Sequence, residues 1–69
     1  MKLPRLRHHR EWALLTQQQL AARAAVARST IVEIEHGGEA RFETIRKLAT
    51  ALDVQPAELM REAPQAHDS

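Results

Sequence analysis

Arg28, Ser29, Val32, Glu33 and His36 follow one another at i, i+1, i+4, i+5 and i+8. At about 100° per residue they share one side of a helix, within an arc of about 140°, while Ala27, Ile31 and Ile34 take the other side. The outward set combines a guanidinium, a hydroxyl, a carboxylate and an imidazole with one branched apolar side chain. A polar stripe opposite an apolar one is how a helix looks when one side is clamped in a small core and the other is offered to a partner. Covalent chemistry is not served. There is no cysteine, no glycine-rich phosphate loop and no acid–base constellation. Glu33 and Glu35 point about 200° apart on a helix, so they make no carboxylate pair. No enzyme activity is expected. His8, His9 and His36 lack the i, i+4 spacing and carboxylate partner of a metal site, so neither metal nor other cofactor is expected.

A short capped helix precedes this stripe. Thr16, with Gln19 three residues on, has the pattern of a capping box. Leu20, Ala21 and Ala24 are that helix's expected buried positions, and a break at Ala25-Val26 leads into the next helix, expected over Ala27–His36 and ended by Gly37-Gly38. Upstream, a first helix is expected from near Pro4, which suits an initial helical turn, to about Leu14, with Leu3, Leu6 and Ala13 apolar. Downstream, Phe42, Ile45, Leu48, Ala49 and Leu52 form an amphipathic stripe. Pro56 opens a short fifth helix anchored by Leu59. Strand signals are missing, because β-branched and aromatic residues never alternate with polar ones. The expectation is an all-α, five-helix domain over residues 1–61, followed by a flexible polar tail over 62–69.

Sixty-nine residues give one domain, near the lower limit at which an apolar core suffices alone. No apolar run approaches the roughly 20 residues of a membrane span, and the basic amino end lacks the apolar stretch of a signal peptide. A soluble, cytoplasmic protein with no membrane partner is expected. The net charge of +1 hides a polarity. Residues 1–28 carry six basic side chains against Glu11 alone, a balance of +5, whereas residues 29–69 carry four basic against eight acidic, a balance of −4. A small domain polarised in this way can turn one positive face to phosphates.

The two helices across a tight break, with a polar stripe on the second, resemble the Cro/C1-type (XRE) helix-turn-helix family of phage repressors and related bacterial regulators. The resemblance covers Leu6 to Leu59. It rests on Thr16-Gln17, Leu20-Ala21, Ala24, Val26, Ile31, Ile34-Glu35 and Gly37, then on Thr44-Ile45-Arg46-Lys47-Leu48-Ala49, Ala51-Leu52, Val54 and Leu59. It implies a compact lambda-repressor-like domain with the helix-turn-helix at helices 2 and 3, and a sequence-specific transcriptional regulator that inserts helix 3 into the major groove of double-stranded DNA. Two residues depart from the pattern. Ala25 stands where the family has a turn glycine, at a cost of about 1–2 kcal/mol if that residue is left-handed. Ala27 stands where the family has a capping serine or threonine, a loss of about 1 kcal/mol.

The resemblance also assigns roles. Arg28, Ser29, Val32, Glu33 and Ala27 are the implied base contacts. Arg28 is suited to guanine O6 and N7, Val32 to a thymine methyl, and Glu33 either to a cytosine amino group or to repelling phosphate. Gln17, Thr30, His36 and Arg41 are implied phosphate contacts, with Arg5 and Arg7 available to flanking phosphates. Arg10 and Glu35 form an implied ion pair that is structural rather than functional. Family behaviour further implies a homodimer on a palindromic operator. Val54, Ala57, Leu59, Met60 and Trp12 are the candidates for its interface. The alternative is an antitoxin that binds a partner toxin and autoregulates its operon.

Overall fold

Helix starts and stops written in the sequence account for most of the architecture. The computed structural model describes residues 1–62, and all regular structure among them is helical. α1 spans Leu6–Trp12, α2 Gln17–Ala24, α3 Arg28–Glu35, α4 Phe42–Leu52 and α5 Pro56–Met60. At the start of α2 the Thr16 hydroxyl accepts from the Gln19 backbone N–H at 3.0 Å, and the Gln19 side chain accepts from the Thr16 N–H at 2.9 Å. This reciprocal pair satisfies two donors that a helix start would otherwise leave open. α3 has no such device, because Ala27 precedes it in an extended conformation with no side-chain cap.

Four of the five helices end in one and the same turn. Leu14, Ala25, Gly37 and Asp53 are left-handed, with φ of 60°, 60°, 96° and 57°. In each case the next residue's N–H reaches back five positions. Leu15 donates to Arg10, Val26 to Ala21, Gly38 to Glu33 and Val54 to Ala49, at 2.9–3.2 Å. The left-handed residue itself donates three positions back, at 2.9–3.3 Å. These are Schellman ends, which close the last carbonyls of a helix. Only α3 uses glycine for the left-handed position. In the other three, Leu15, Val26 and Val54 follow the turn and pack against the core, so apolar burial holds a turn that glycine would have eased.

α2 packs against α3 and α4, α1 against α3 and α5, and α4 against α5. Between them lies a core of Leu3, Leu6, Leu20, Ala21, Ala24, Ile31, Ile34, Ala40, Ile45, Leu48, Ala49 and Leu59. The chain closes on itself where Arg5 donates its backbone N–H to the Leu59 carbonyl at 3.3 Å. The buried positions expected for α2, α3 and α5 are all in this core.

The structure corrects three expectations. α1 is shorter than Pro4–Leu14, because Pro4 lies in the turn before it and left-handed Leu14 lies beyond its end. Ala13, past the end of α1, is exposed rather than apolar lining. Phe42 does not join the stripe of α4. As that helix's first residue it stands at the rim of a groove, 71 % exposed. The chain's only other aromatic in the classes Phe, Trp and Tyr, Trp12, is also outside the core, at 75 % exposed. Of the expected tail, residues 63–69 lie outside the described residues.

Candidate nucleic-acid interface

α3 is built to be held from one side. Ile31 and Ile34 are buried under α1 and α2, and its last residue, Glu35, is the acceptor of a polar clamp. Arg10 of α1 donates from Nε to Glu35 Oε2 at 2.7 Å and from Nη2 to Glu35 Oε1 at 3.1 Å. Arg10 Nη1 donates to the Leu15 carbonyl at 2.8 Å, and Gln17 Nε2 of α2 donates to Glu35 Oε1 at 3.0 Å. The clamp therefore ties α1, the turn after it, α2 and α3 at a single carboxylate. Its charged side chains are largely out of water, at 11 % exposure for Arg10 and 4 % for Glu35. The hydrogen bond to Glu35 holds the Arg10 guanidinium above its ordinary pKa, against a smaller opposing effect of desolvation. The implied pair of Arg10 and Glu35 is thus present, and Gln17 is its third member.

The other side of α3 is open. Arg28, Ser29, Val32, Glu33 and His36 together line one concave surface. Arg28, Ser29, Glu33 and His36 are exposed and Val32 is partly buried among them. Among the described residues, the side chains of Arg28, Ser29 and Glu33 make no hydrogen bond or ion pair. His36 has one tie. Its Nδ1 lies 2.8 Å from the Val32 carbonyl. A carbonyl can only accept, so Nδ1 carries the proton and Nε2 is left for other partners. The end of α3 is shaped by Gly38, whose N–H donates to the Glu33 carbonyl at 2.9 Å. A Cβ at Gly38 would stand 2.8 Å from that carbonyl oxygen and 3.0 Å from Glu33 Cγ. Glycine here leaves room for the Glu33 stem against the turn.

The remaining assigned residues do not share this surface. Ala27 is exposed at the foot of α3. Thr30 is partly buried and lies on the far side of the helix from Arg28 and Val32. Gln17 is committed through its amide nitrogen to Glu35, and Arg41 is exposed at the head of α4. Arg7 pairs with Glu11 at 3.0 Å, and Arg5 lies 4.0 Å from Glu58.

Two apolar surfaces lie elsewhere. Met1, Phe42, Ile45, Arg46, Pro56 and Met60 line a groove between α4 and α5. Trp12 and Leu14 stand with His8 and Glu11 at the end of α1, with Leu14 88 % exposed. Of the residues expected at a dimer interface, Ala57 is exposed and Val54 and Met60 are partly so. Leu59 is fully buried in the chain's own core and has no surface to offer a second copy. Phe42 and Leu14 carried no expectation of exposure from the sequence. The polar neighbours Arg41 and Glu43 around Phe42 are the only local hint. Among the described residues no group of three or more potential ligands is placed to hold a metal ion. Among the described residues no helix is long and apolar enough to cross a membrane.

A helix-turn-helix clamped from one side, with an outward stripe of unengaged polar groups, defines a nucleic-acid reading module. The sequence model for the helix-turn-helix family matches residues 6–59. The chain belongs to the Cro/C1-type helix-turn-helix family and is a sequence-specific DNA-binding regulator of transcription. A solved structure it is similar to is the restriction-modification controller protein C.AhdI from Aeromonas hydrophila, with 41 % identity and a TM-score of 0.76. The likeness covers 80 % of this chain and 85 % of that one. No curated protein matches at a comparable level. The matched family consists of regulatory DNA-binding proteins rather than enzymes.

Proposed function

We propose that α3 enters the major groove of double-stranded DNA and that its concave outer surface meets the base edges. The observation that carries this reading is the unengaged Arg28, Ser29 and Glu33 on one side of a helix whose other side is held by buried Ile31 and Ile34 and by the Glu35 clamp. Arg28 pairs with guanine through O6 and N7, Ser29 bonds to a base or phosphate, and Val32 packs on a thymine methyl. The start of α2, with its Gln17 amide fixed by Glu35, and His36 at the end of α3 take phosphates on either side. Arg41 and Thr30 are weaker phosphate candidates, Thr30 because it is partly buried away from the stripe.

Two copies on a two-fold operator, with half-sites about one helical turn apart, give such a small module its affinity. The groove lined by Phe42, Pro56 and Met60 is the surface we assign to the second copy. Phe42 is 71 % exposed there, whereas Leu59 is buried. The protein acts in the cytoplasm as a repressor or autoregulator, a role that likeness to a controller protein supports.

Selection of bound sequences from random duplexes tests this directly. A palindrome with guanine at a fixed place in each half-site is the expected result. Affinity should also fall with salt, log K against log salt having a slope of about −0.9 per phosphate contact. No binding to any duplex at low salt would overturn the reading.

A second reading, an antitoxin that also binds a partner toxin, draws on one observation. Exposed Trp12 and Leu14 make an apolar surface that the DNA-facing side of α3 does not use. Co-purification with the product of an adjacent gene, lost in Trp12→Ala, would favour it.

A further inference from the structure

We propose that Glu33 selects cytosine in the operator half-site by accepting from its exocyclic amino group. The inference rests on the reading that α3 enters the major groove. Glu33 is an exposed carboxylate at one edge of this surface, about 140° around the helix from Arg28 and one turn before His36. Among the described residues no hydrogen bond or ion pair reaches its carboxylate. Arg7, Arg10, Arg5 and Arg61 are engaged with other carboxylates, and Arg28 is five residues away on the helix, off the i+4 spacing that would pair them. The stem is also given a defined seat, because Gly38 keeps the space beside Glu33 Cγ open.

A bare carboxylate driven against a polyanion lowers affinity for every sequence that offers it no donor. The major groove offers two kinds of donor, the cytosine N4 and adenine N6 amino groups. They differ in what stands beside them. On adenine the amino group is flanked by N7, an acceptor that repels an anion. On cytosine it is flanked by the C5–H, which does not. A carboxylate therefore favours cytosine, whereas an amide in its place can donate to N7 and accept from N6 and so favours adenine. Glu33 acts as a filter. It weakens binding to wrong sites and recovers the loss where cytosine is present.

The experiment compares the wild type, Glu33→Gln and Glu33→Ala on an operator selected by the wild type from random duplexes. Each half-site cytosine is replaced in turn by N4-methylcytosine, which keeps Watson–Crick pairing but puts a methyl where the groove-facing N–H was. At one cytosine per half-site the wild type should lose about tenfold or more in affinity, about 1.4 kcal/mol. Glu33→Ala should bind both forms equally and bind random DNA more tightly than the wild type. Glu33→Gln should shift the selected base at that position from cytosine to adenine. Retention of wild-type affinity on every N4-methylated site, or discrimination preserved in Glu33→Ala, overturns the role of Glu33 while leaving α3 as the reading helix. Selection of adenine by the wild type at that position overturns the choice of base. If the wild type selects no sequence, the major-groove reading fails and this assignment fails with it.

Discussion

Glu33 and Glu35 stand two residues apart on α3 and live in opposite conditions. Glu35 has its side chain nearly out of water and takes three hydrogen bonds from Arg10 and Gln17. Glu33 is exposed and unpaired on the concave outer surface. The helix is thus divided lengthwise into an inner half, where Glu35 is held by three hydrogen bonds, and an outer half, where the side chains of Arg28, Ser29 and Glu33 have none among the described residues. Partners on the inner half make α3 a fixed part of the fold. The vacant donors and acceptors on the outer half are what a base edge can use without breaking anything inside. A reading helix needs both halves, since a mobile helix could not hold its side chains in register with bases.

Truncating the two carboxylates breaks the comparison most severely. Glu35→Ala leaves Arg10, largely out of water, without its carboxylate partner and should lower stability by about 1–3 kcal/mol in denaturant unfolding. Glu33→Ala should change stability by no more than about 0.5 kcal/mol, as is usual for an exposed position without a partner. Equal losses from the two variants would contradict the division of α3.

The helix ends extend the contrast from polar groups to backbone. α3 ends on glycine, while α1 and α2 end on left-handed Leu14 and Ala25. Leu14→Gly and Ala25→Gly should each stabilise the domain by up to about 1 kcal/mol, the left-handed strain of an L-residue less the extra chain entropy of glycine. Asp53→Gly should gain less, because aspartate visits this region more readily than leucine or alanine. A loss of stability in Leu14→Gly would mean that this exposed leucine is covered by a partner.

A smaller effect concerns the α1–α5 junction. Burial lowers the pKa of His9 below its ordinary 6.5, the nearby His8 and Arg5 charges lower it further, and Glu58 opposes them. Its Nε2 and the Arg5 Nε are buried without partners. The unfolded chain therefore binds the proton more readily than the folded one, so stability is full above the unfolded pKa. It declines as pH falls through about 6.5 and levels off below the folded pKa. Melting temperature measured from pH 7.5 down to 5 should fall for the wild type and flatten over that window in His9→Gln. An unchanged slope would assign the dependence to other groups.

Signals that act over one or two turns were legible in the sequence. The Thr16–Gln19 box, the apolar periodicity of Leu20, Ala21 and Ala24, and the opposed stripes of α3 each depend on neighbours within a few residues. The left-handed state of Ala25 was suggested only by the glycine the family has at that place, and those of Leu14 and Asp53 by nothing local. What lay beyond the sequence depends on long-range placement. Gln17 meets Glu35 eighteen positions away, so no local pattern announces it as part of the clamp. Phe42 has helical spacing with Ile45 and Ala49, yet as the first residue of α4 it stands at the rim of a groove and is 71 % exposed. Leu59 illustrates the opposite error. One side chain was expected both to anchor the core and to line an interface, and full burial permits only the first. The outward stripe was readable because it follows from helix geometry alone, whereas the absence of intramolecular partners for Arg28 and Glu33 needed the structure.

The most direct test of the central claim measures Arg28→Ala on the selected operator and on random duplex at one salt concentration. If the outer half of α3 reads bases, the variant should lose about 1–3 kcal/mol of discrimination between the two DNAs while its melting temperature stays that of the wild type. An equal loss on operator and random DNA would contradict the account, because Arg28 would then contact only phosphate.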